Sequence, residues 1–566
     1  MRILVTLLLL LPCLVLASVE KPPASAIASA HPLATEAGME ILQAGGNAFD
    51  AAVAVSAALA VVEPYSSGIG GGGFWLLHRA EDGFETMLDG RERAPLAAQR
   101  DMYLDAEGEV IPGLSMDGPL AAGIPGEPAA LAHLSEHYGR LTLARSLVPA
   151  IRLAREGFPV TEHYRKMATF RLPVLRRYPQ AAAIFLKGGE VPSLGHLIRQ
   201  PALARTLEAM AQEGADGFYR GPVAKALIEA VTSAGGNWQH ADLQQYEVVE
   251  REPIRSDYRG LRITSAAPPS SGGVALATML NILEQFPLER LDKVQRSHLV
   301  VEAMRRAYRD RAEYLGDTDF VEVPLQRLTS SDYAAGLAAS VRLDRATASH
   351  ELPSATAEIG GNHTTHFSIL DHEGNYVSAT LSINYPFGSG FVAAGTGVLL
   401  NDEMDDFSAK PGSPNAYGLV GAEANAIAPG KRMLSSMSPT FVSGPDGVAI
   451  LGTPGGSRII TMVLLGILEV ADGKGAEGWV SRPRFHHQYL PDTLYYEADA
   501  FDEDEAFKLE ALGHRLERAE GRWGNMQAVH WHKKENRVEA ASDPRVEGLA
   551  RVREQKQHQG VDDEPL

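Results

Sequence analysis

Two runs of alternating apolar and polar residues, 362–370 and 376–384, flank the segment Asp371-His372-Glu373-Gly374-Asn375, and no other stretch restricts the fold of this chain as tightly. Alternation with a period of two around a short glycine-containing turn predicts a β-hairpin. Closed symmetrically about Glu373, the hairpin sets Leu370 opposite Tyr376 and Thr364 opposite Ser382. Directly opposed residues have Cβ atoms about 4.5–5.5 Å apart, close enough for a hydroxyl-to-hydroxyl hydrogen bond. Taken alone, the pattern fits an ordinary Thr/Ser pair that stabilises a hairpin as well as it fits a paired nucleophile.

Further strand patterns lie at 73–78 and 448–451. Helical periodicity marks 127–138, 143–156, 201–212, 222–233 and 294–315, and an Ala-rich helical segment, 36–62, is interrupted by Gly45-Gly46-Asn47. Its longest uncharged stretch, 51–62, is too short to cross a bilayer and reads as a buried helix packed closely on a sheet. Helices and strands fall in separate groups, so a layered α+β fold is expected rather than a doubly wound one. No repeat, low-complexity linker or charge block separates autonomous domains, and the polar tail 553–566 is expected to fray.

Composition excludes whole classes of partner. A formal net charge of −19 over 566 residues opposes a phosphate backbone, whose binding rests on clustered Lys and Arg. Arg2, the Leu-rich run 3–11 and Val15-Leu16-Ala17 read as a signal peptide, residues 1–17, cleaved after Ala17. A membrane anchor fits less well, because Pro12 interrupts the run and about 20 apolar residues are needed to span. Export to the periplasm is expected. The single cysteine, Cys13, falls in that segment, so the mature chain has no disulfide and no Cys-based metal site.

Several local motifs carry less than they suggest. The run Gly68-Ile69-Gly70-Gly71-Gly72-Gly73 matches G-x-G-x-x-G, but it follows a helix pattern and precedes the strand-like Phe74-Trp75-Leu76-Leu77, the reverse of a dinucleotide-binding turn. A tight turn that lets backbones approach closely is the plainer reading. His363-x-x-His366 and His486-His487 lack a carboxylate at zinc-protease spacing and read as structural or solvated histidines. Asp502-Glu503-Asp504-Glu505 reads as a solvent-facing helix N-terminus. No G-x-S-x-G elbow or Walker A sequence occurs.

Four segments together are informative: 362–367, Asn401-Asp402-Glu403-Met404-Asp405-Asp406-Phe407, Leu434-Ser435-Ser436-Met437-Ser438-Pro439 and Pro454-Gly455-Gly456-Ser457-Arg458. They resemble the γ-glutamyltranspeptidase family. The resemblance also takes in Asp89-Gly90-Arg91-Glu92-Arg93-Ala94-Pro95, Pro268-Pro269-Ser270-Ser271-Gly272-Gly273 and Arg484-Phe485-His486-His487-Gln488, and runs in register from about 28 to 545. It implies a four-layer αββα N-terminal-nucleophile hydrolase, made as one precursor that cuts itself at His363-Thr364. The products would be a large subunit, 18–363, and a small catalytic subunit, 364–566, held as one interlocked heterodimer. Cleavage has a chemical purpose: the freed α-amine, with a reference pKa of about 7.7–8.0, is a base suited to activating the Thr364 hydroxyl.

The same resemblance implies the remaining roles. Thr364 would attack the γ-carbonyl of a γ-glutamyl amide such as glutathione and pass the acyl group to water, an amino acid or a peptide. Backbone N–H groups of Gly455 and Gly456 would hold the oxyanion. Ser382 stands where the family has a threonine, so the hydroxyl is kept and β-branched stiffness is lost. Arg91, Ser435 and Ser436 correspond to the α-carboxylate site; Asn384, Glu403 and Asp406 correspond to the α-ammonium site. This places opposite charges at the two ends of the pocket. The segment 414–425, with Tyr417, resembles a lid loop and favours glutathione over poly-γ-glutamate. No metal or organic cofactor is called for. The alternatives are a related cephalosporin or glutaryl acylase, which has no ammonium to recognise, a non-catalytic periplasmic binding protein, and, from the glycine run alone, a nicotinamide oxidoreductase.

Overall fold

The hairpin forms in the predicted register. In the computed structural model, which describes residues 20–352, 364–413, 415, 418, 419 and 421–555, strand Thr365–Leu370 pairs antiparallel with Tyr376–Ser382, from Leu370↔Tyr376 to Thr365↔Leu381. Asp371 builds the turn. Its carboxylate accepts from the N–H groups of Glu373 at 2.9 Å and Asn375 at 3.0 Å, and from the N–H of Ala48 at 2.9 Å. That last bond ties the hairpin to the first turn of a buried helix, Ala48–Val62.

The hairpin occupies the centre of a seven-stranded sheet ordered Leu549–Glu554, Ala24–Ser29, Thr365–Leu370, Tyr376–Ser382, Gly72–Arg79, Phe84–Gly90 and Val249–Arg251. Strand Ala24–Ser29 therefore lies between two strands from beyond residue 363, so the chain segments on either side of His363-Thr364 interlock. Because side chains alternate across a strand, Phe367, Ile369, Val377, Ala379 and Leu381 join one core with Ala48–Val62 and helix Leu143–Glu156. Leu370, Tyr376, Phe74 and Leu76 join another. There they meet Phe441, Ile450 and Val529 of a six-stranded sheet, which carries helices Gly272–Leu283, Lys293–Tyr314 and Ile459–Ala471 in the same core. Helices, sheet, sheet, helices: the expected four-layer αββα arrangement is the observed one.

The glycine run is a packing device. A Cβ on Gly70 would lie 2.0 Å from Leu399 O, and one on Gly71 2.2 Å from Ser382 O, so only glycine admits the backbone behind the end of the hairpin. Asn47, following Gly45-Gly46, starts Ala48–Val62 with a capping box completed by Asp50, which is why the 36–62 pattern resolves into two helices, Pro32–Gln43 and Ala48–Val62.

Some expectations need correction. The tail is not free from 553 onward: Arg553 and Glu554 pair with Ser25 and Ala24 at the sheet edge. Helices Gly272–Leu283 and Ile459–Ala471 and strand Ala24–Ser29 leave no mark in the sequence pattern, because near-continuous apolar and small residues carry no amphipathic period. The signal segment with Cys13, the residue His363, and Pro414 and Tyr417 of the expected lid lie outside the described residues. Among the described residues no helix is long and apolar enough to cross a membrane.

Candidate functional site

Thr364 immediately precedes its strand and is 6% exposed. Ser382 ends the partner strand, and its Oγ accepts from the N–H of Asn384 at 2.8 Å. Asn384 holds a left-handed backbone, φ 69°, a conformation asparagine tolerates better than most residues, and its Nδ2 donates to Asp402 O at 3.0 Å. The two hydroxyl residues line one narrow cleft with Arg91, Asn384, Glu403, Asp406, Ser435, Ser436 and Gly456. Every described site residue inferred from sequence reaches this cleft except Gly455. Gly455 and Thr364 both line an adjoining cavity of about 1120 Å³.

Charge distribution in the cleft differs from the expected two-ended pocket. Arg91 Nη1 contacts Glu403 Oε2 at 2.6 Å and Arg91 Nη2 contacts Asp406 Oδ2 at 2.5 Å, so cation and anions are in direct contact rather than apart. The reason is burial. Arg91 is 1% exposed, and carboxylates at contact distance offset the cost of taking its guanidinium out of water. Glu92 adds a third carboxyl at 3.5 Å. With three acids around one cation, burial pushes the Glu403 carboxyl up to about 7 against the pull of Arg91, and burial and Glu403 hold Glu92 well above the usual carboxylate range.

Ser435 and Ser436 are placed by the turn that the sequence marks at Pro268-Pro269-Ser270-Ser271. Ser435 N–H donates to Pro269 O at 2.8 Å, and Ser271 N–H returns a 2.8 Å bond to Ser435 O. Gly455 (φ 147°) and Gly456 (φ 55°) lead through a short 3-10 turn into helix Ile459–Ala471. N–H groups that open a helix have no partner within it, which suits them to a developing negative charge. Asn415 and Leu419, from the expected lid segment, come to the cleft: Asn415 Nδ2 donates to Asp406 Oδ1 at 3.2 Å, and Leu419 is part of its lining.

Two residues at the site carry no sequence signal. Glu63, at the end of Ala48–Val62, accepts from Thr365 Oγ1 at 2.7 Å, and burial pushes it up to about 8. Arg311 donates to Ser436 Oγ at 3.2 Å. Both arrive from distant helices through tertiary packing.

A family model described as gamma-glutamyltranspeptidase matches residues 34–552. The chain belongs to the γ-glutamyltranspeptidase family. Among γ-glutamyltranspeptidase relatives, a glutathione hydrolase proenzyme of Pseudomonas sp. is 46% identical over 87% of this chain and 86% of its own length. The corresponding proenzyme of Escherichia coli is 43% identical over 92% and 90%. A cephalosporin acylase from Bacillus halodurans superposes with a TM-score of 0.82 at 30% identity, covering 94% of this chain and 96% of that one. The Helicobacter pylori gamma-glutamyltranspeptidase superposes with a TM-score of 0.56 at 40% identity over 57% of this chain and 94% of that one.

Of the motif histidines, His366 and His486 are structural. His366 is fully buried, with Nδ1 2.9 Å from Thr380 Oγ1, and burial pulls it down to about 3. His486 bonds Thr461 at 2.9 Å and Gln488 at 2.8 Å. Neither is solvated. Asp502 caps helix Glu503–Ala511, as the acidic run suggested.

Proposed function

We propose that the chain is exported after cleavage behind Ala17, cuts itself between His363 and Thr364, and then transfers γ-glutamyl groups from amides such as glutathione to water or to amino acids and peptides. One observation carries this function: a buried threonine at the head of a central strand shares a cleft with Ser382, an arginine, two acids and two serines. Self-cleavage gives Thr364 an α-amine. That amine takes the Oγ proton as Oγ bonds to the γ-carbonyl carbon, and the oxyanion forms against the N–H groups of Gly455 and Gly456. The proton then passes to the departing amine as the C–N bond breaks, leaving an ester on Thr364. Water or an acceptor amine repeats the sequence in reverse, and Ser382 steadies the nucleophile throughout.

Recognition uses the two ends of the glutamyl group. Its α-carboxylate is taken by Arg91, Ser435 and Ser436 and its ammonium by Asn384, Glu403 and Asp406, so the substrate exchanges its own charges for the Arg91 ion pairs. The expected lid, from which Asn415 and Leu419 reach the cleft, is assigned to covering the bound donor. The test compares γ-glutamyl-p-nitroanilide with glutaryl-p-nitroanilide, which lacks the amine. Turnover of the first at least 100-fold faster in kcat/KM is expected; equal turnover would favour the acylase, the activity of the Bacillus halodurans neighbour.

Glu403 makes donor binding pH-dependent. Burial pushes its carboxyl up to about 7, and an ammonium is bound by the ionised form, so at lower pH donor binding is expected to release a proton. KM for the donor is therefore expected to fall as pH rises from 6 to 8, and Glu403→Gln is expected to flatten that slope. Initial rates across the range check both, with kcat reporting the Thr364 amine separately.

A further inference from the structure

Helix Lys293–Tyr314 carries five arginines, and four of them meet a carboxylate: Arg296 with Asp472, Arg305 with Asp492, Arg306 with Glu302 and Arg309 with Asp310. Arg311 does not. It is 5% exposed, and no carboxylate lies within 4.0 Å of its guanidinium among the described residues. Instead Nε donates to Ser271 Oγ at 3.0 Å and Nη2 donates to Ser436 Oγ at 3.2 Å. Burial pulls its pKa down, and the charges that act on it are Asp406 and Arg91, with Tyr308 beside it. A buried cation without a contacting anion is costly, and this one stands behind the serines of the cleft.

Its bonds also have a direction. A guanidinium can only donate, so both serine oxygens accept from it and their protons must go elsewhere. The Ser271 hydroxyl donates to Ser435 O at 2.7 Å. Ser435 Oγ in turn accepts from the N–H of Met437 at 3.1 Å. Ser435 and Ser436 thus each receive a hydrogen bond from the protein side, leaving both O–H protons to an acceptor in the cleft.

We propose that Arg311 is a positioning residue for donor selectivity, which polarises Ser436 and fixes Ser271 against Ser435 so that the two hydroxyls present protons to a carboxylate. The inference rests on the cleft binding a γ-glutamyl group. Arg311 touches no reacting atom; it acts through the two serines and adds a second positive charge behind Arg91.

The test measures KM and kcat for two donors, γ-glutamyl-p-nitroanilide and 4-aminobutyryl-p-nitroanilide, which differ only in the α-carboxylate. Arg311→Met is expected to raise KM for the first about 10- to 100-fold, the scale of one charge-assisted hydrogen bond, with kcat and the second donor little changed. Arg311→Lys keeps charge but cannot bridge both serines, and should fall between. Ser436→Ala should reproduce the shift, and Arg311→Met in that background should add little. Equal losses on both donors, or full additivity with Ser436→Ala, would overturn the role of Arg311 while leaving the cleft intact. A wild-type enzyme that does not distinguish the two donors would instead overturn the proposed function, and this inference with it. Should Arg311→Met fail to fold, Arg311→Lys and Ser436→Ala decide by the same comparison.

Discussion

Thr364→Ala is expected to yield a single uncut chain and to lower turnover of γ-glutamyl amides by roughly 10⁴-fold or more, the scale on which removing an activated nucleophile acts. The residue is both the group that attacks its own preceding peptide bond and the group that later attacks substrate, so one substitution removes two reactions. Intact mass under denaturing conditions separates them. Wild type should give fragments 18–363 and 364–566, and Thr364→Ser should give the same fragments, because a hydroxyl and a new α-amine are all the chemistry requires. An uncut wild-type chain in a folded sample would remove the base on which the mechanism depends and would favour a binding protein. Stability should change little: Thr364 precedes the ladder Thr365–Leu370 and Tyr376–Ser382, so no strand pairing is lost.

Arg91 carries the second large effect. Its guanidinium contacts Glu403 and Asp406 and lies 3.5 Å from Glu92, so Arg91→Ala strands three carboxyls, two of them buried, without a cation. Breaking a buried pair from one side costs about 3–5 kcal/mol, and Arg91→Ala is expected to lose about that much stability in urea, or to accumulate as insoluble protein. Arg91→Lys retains the charge but not the planar fork that reaches both acids at once. It should fold and cut itself, yet bind the γ-glutamyl donor at least 100-fold more weakly in KM. A folded Arg91→Ala enzyme with unaltered KM would show that neither the ion pairs nor the carboxylate site has the assigned role.

The hairpin shows why much of the site is legible in the sequence. Strand period and turn length are local properties, and together they set Thr365 against Leu381 and bring Thr364 beside Ser382 without reference to the rest of the chain. Helices with a polar face, such as Leu143–Glu156, were equally plain, because one-sided burial writes its period into the sequence. Uniformly apolar helices such as Ile459–Ala471 were not, since burial on every side erases that period. The cluster Glu403–Asp406 was recognisable as acidic and matched a known motif, but its pairing with Arg91, 312 residues away for Glu403, was not.

Sequence by itself determined the hairpin register, the glycine turn that only glycine can make, the family, and most of the polar residues that line the cleft. Each is either a short-range consequence of backbone geometry or a matched motif. Tertiary structure alone decided that Arg91 rests against both acids, that burial pushes the Glu403 carboxyl up, that Glu63 sits beneath Thr365, and that Arg311 reaches Ser436 with no carboxylate in contact among the described residues. Those are properties of charge and distance in a water-poor interior, where the energy of a group depends on which distant segments the fold brings within a few ångströms of it.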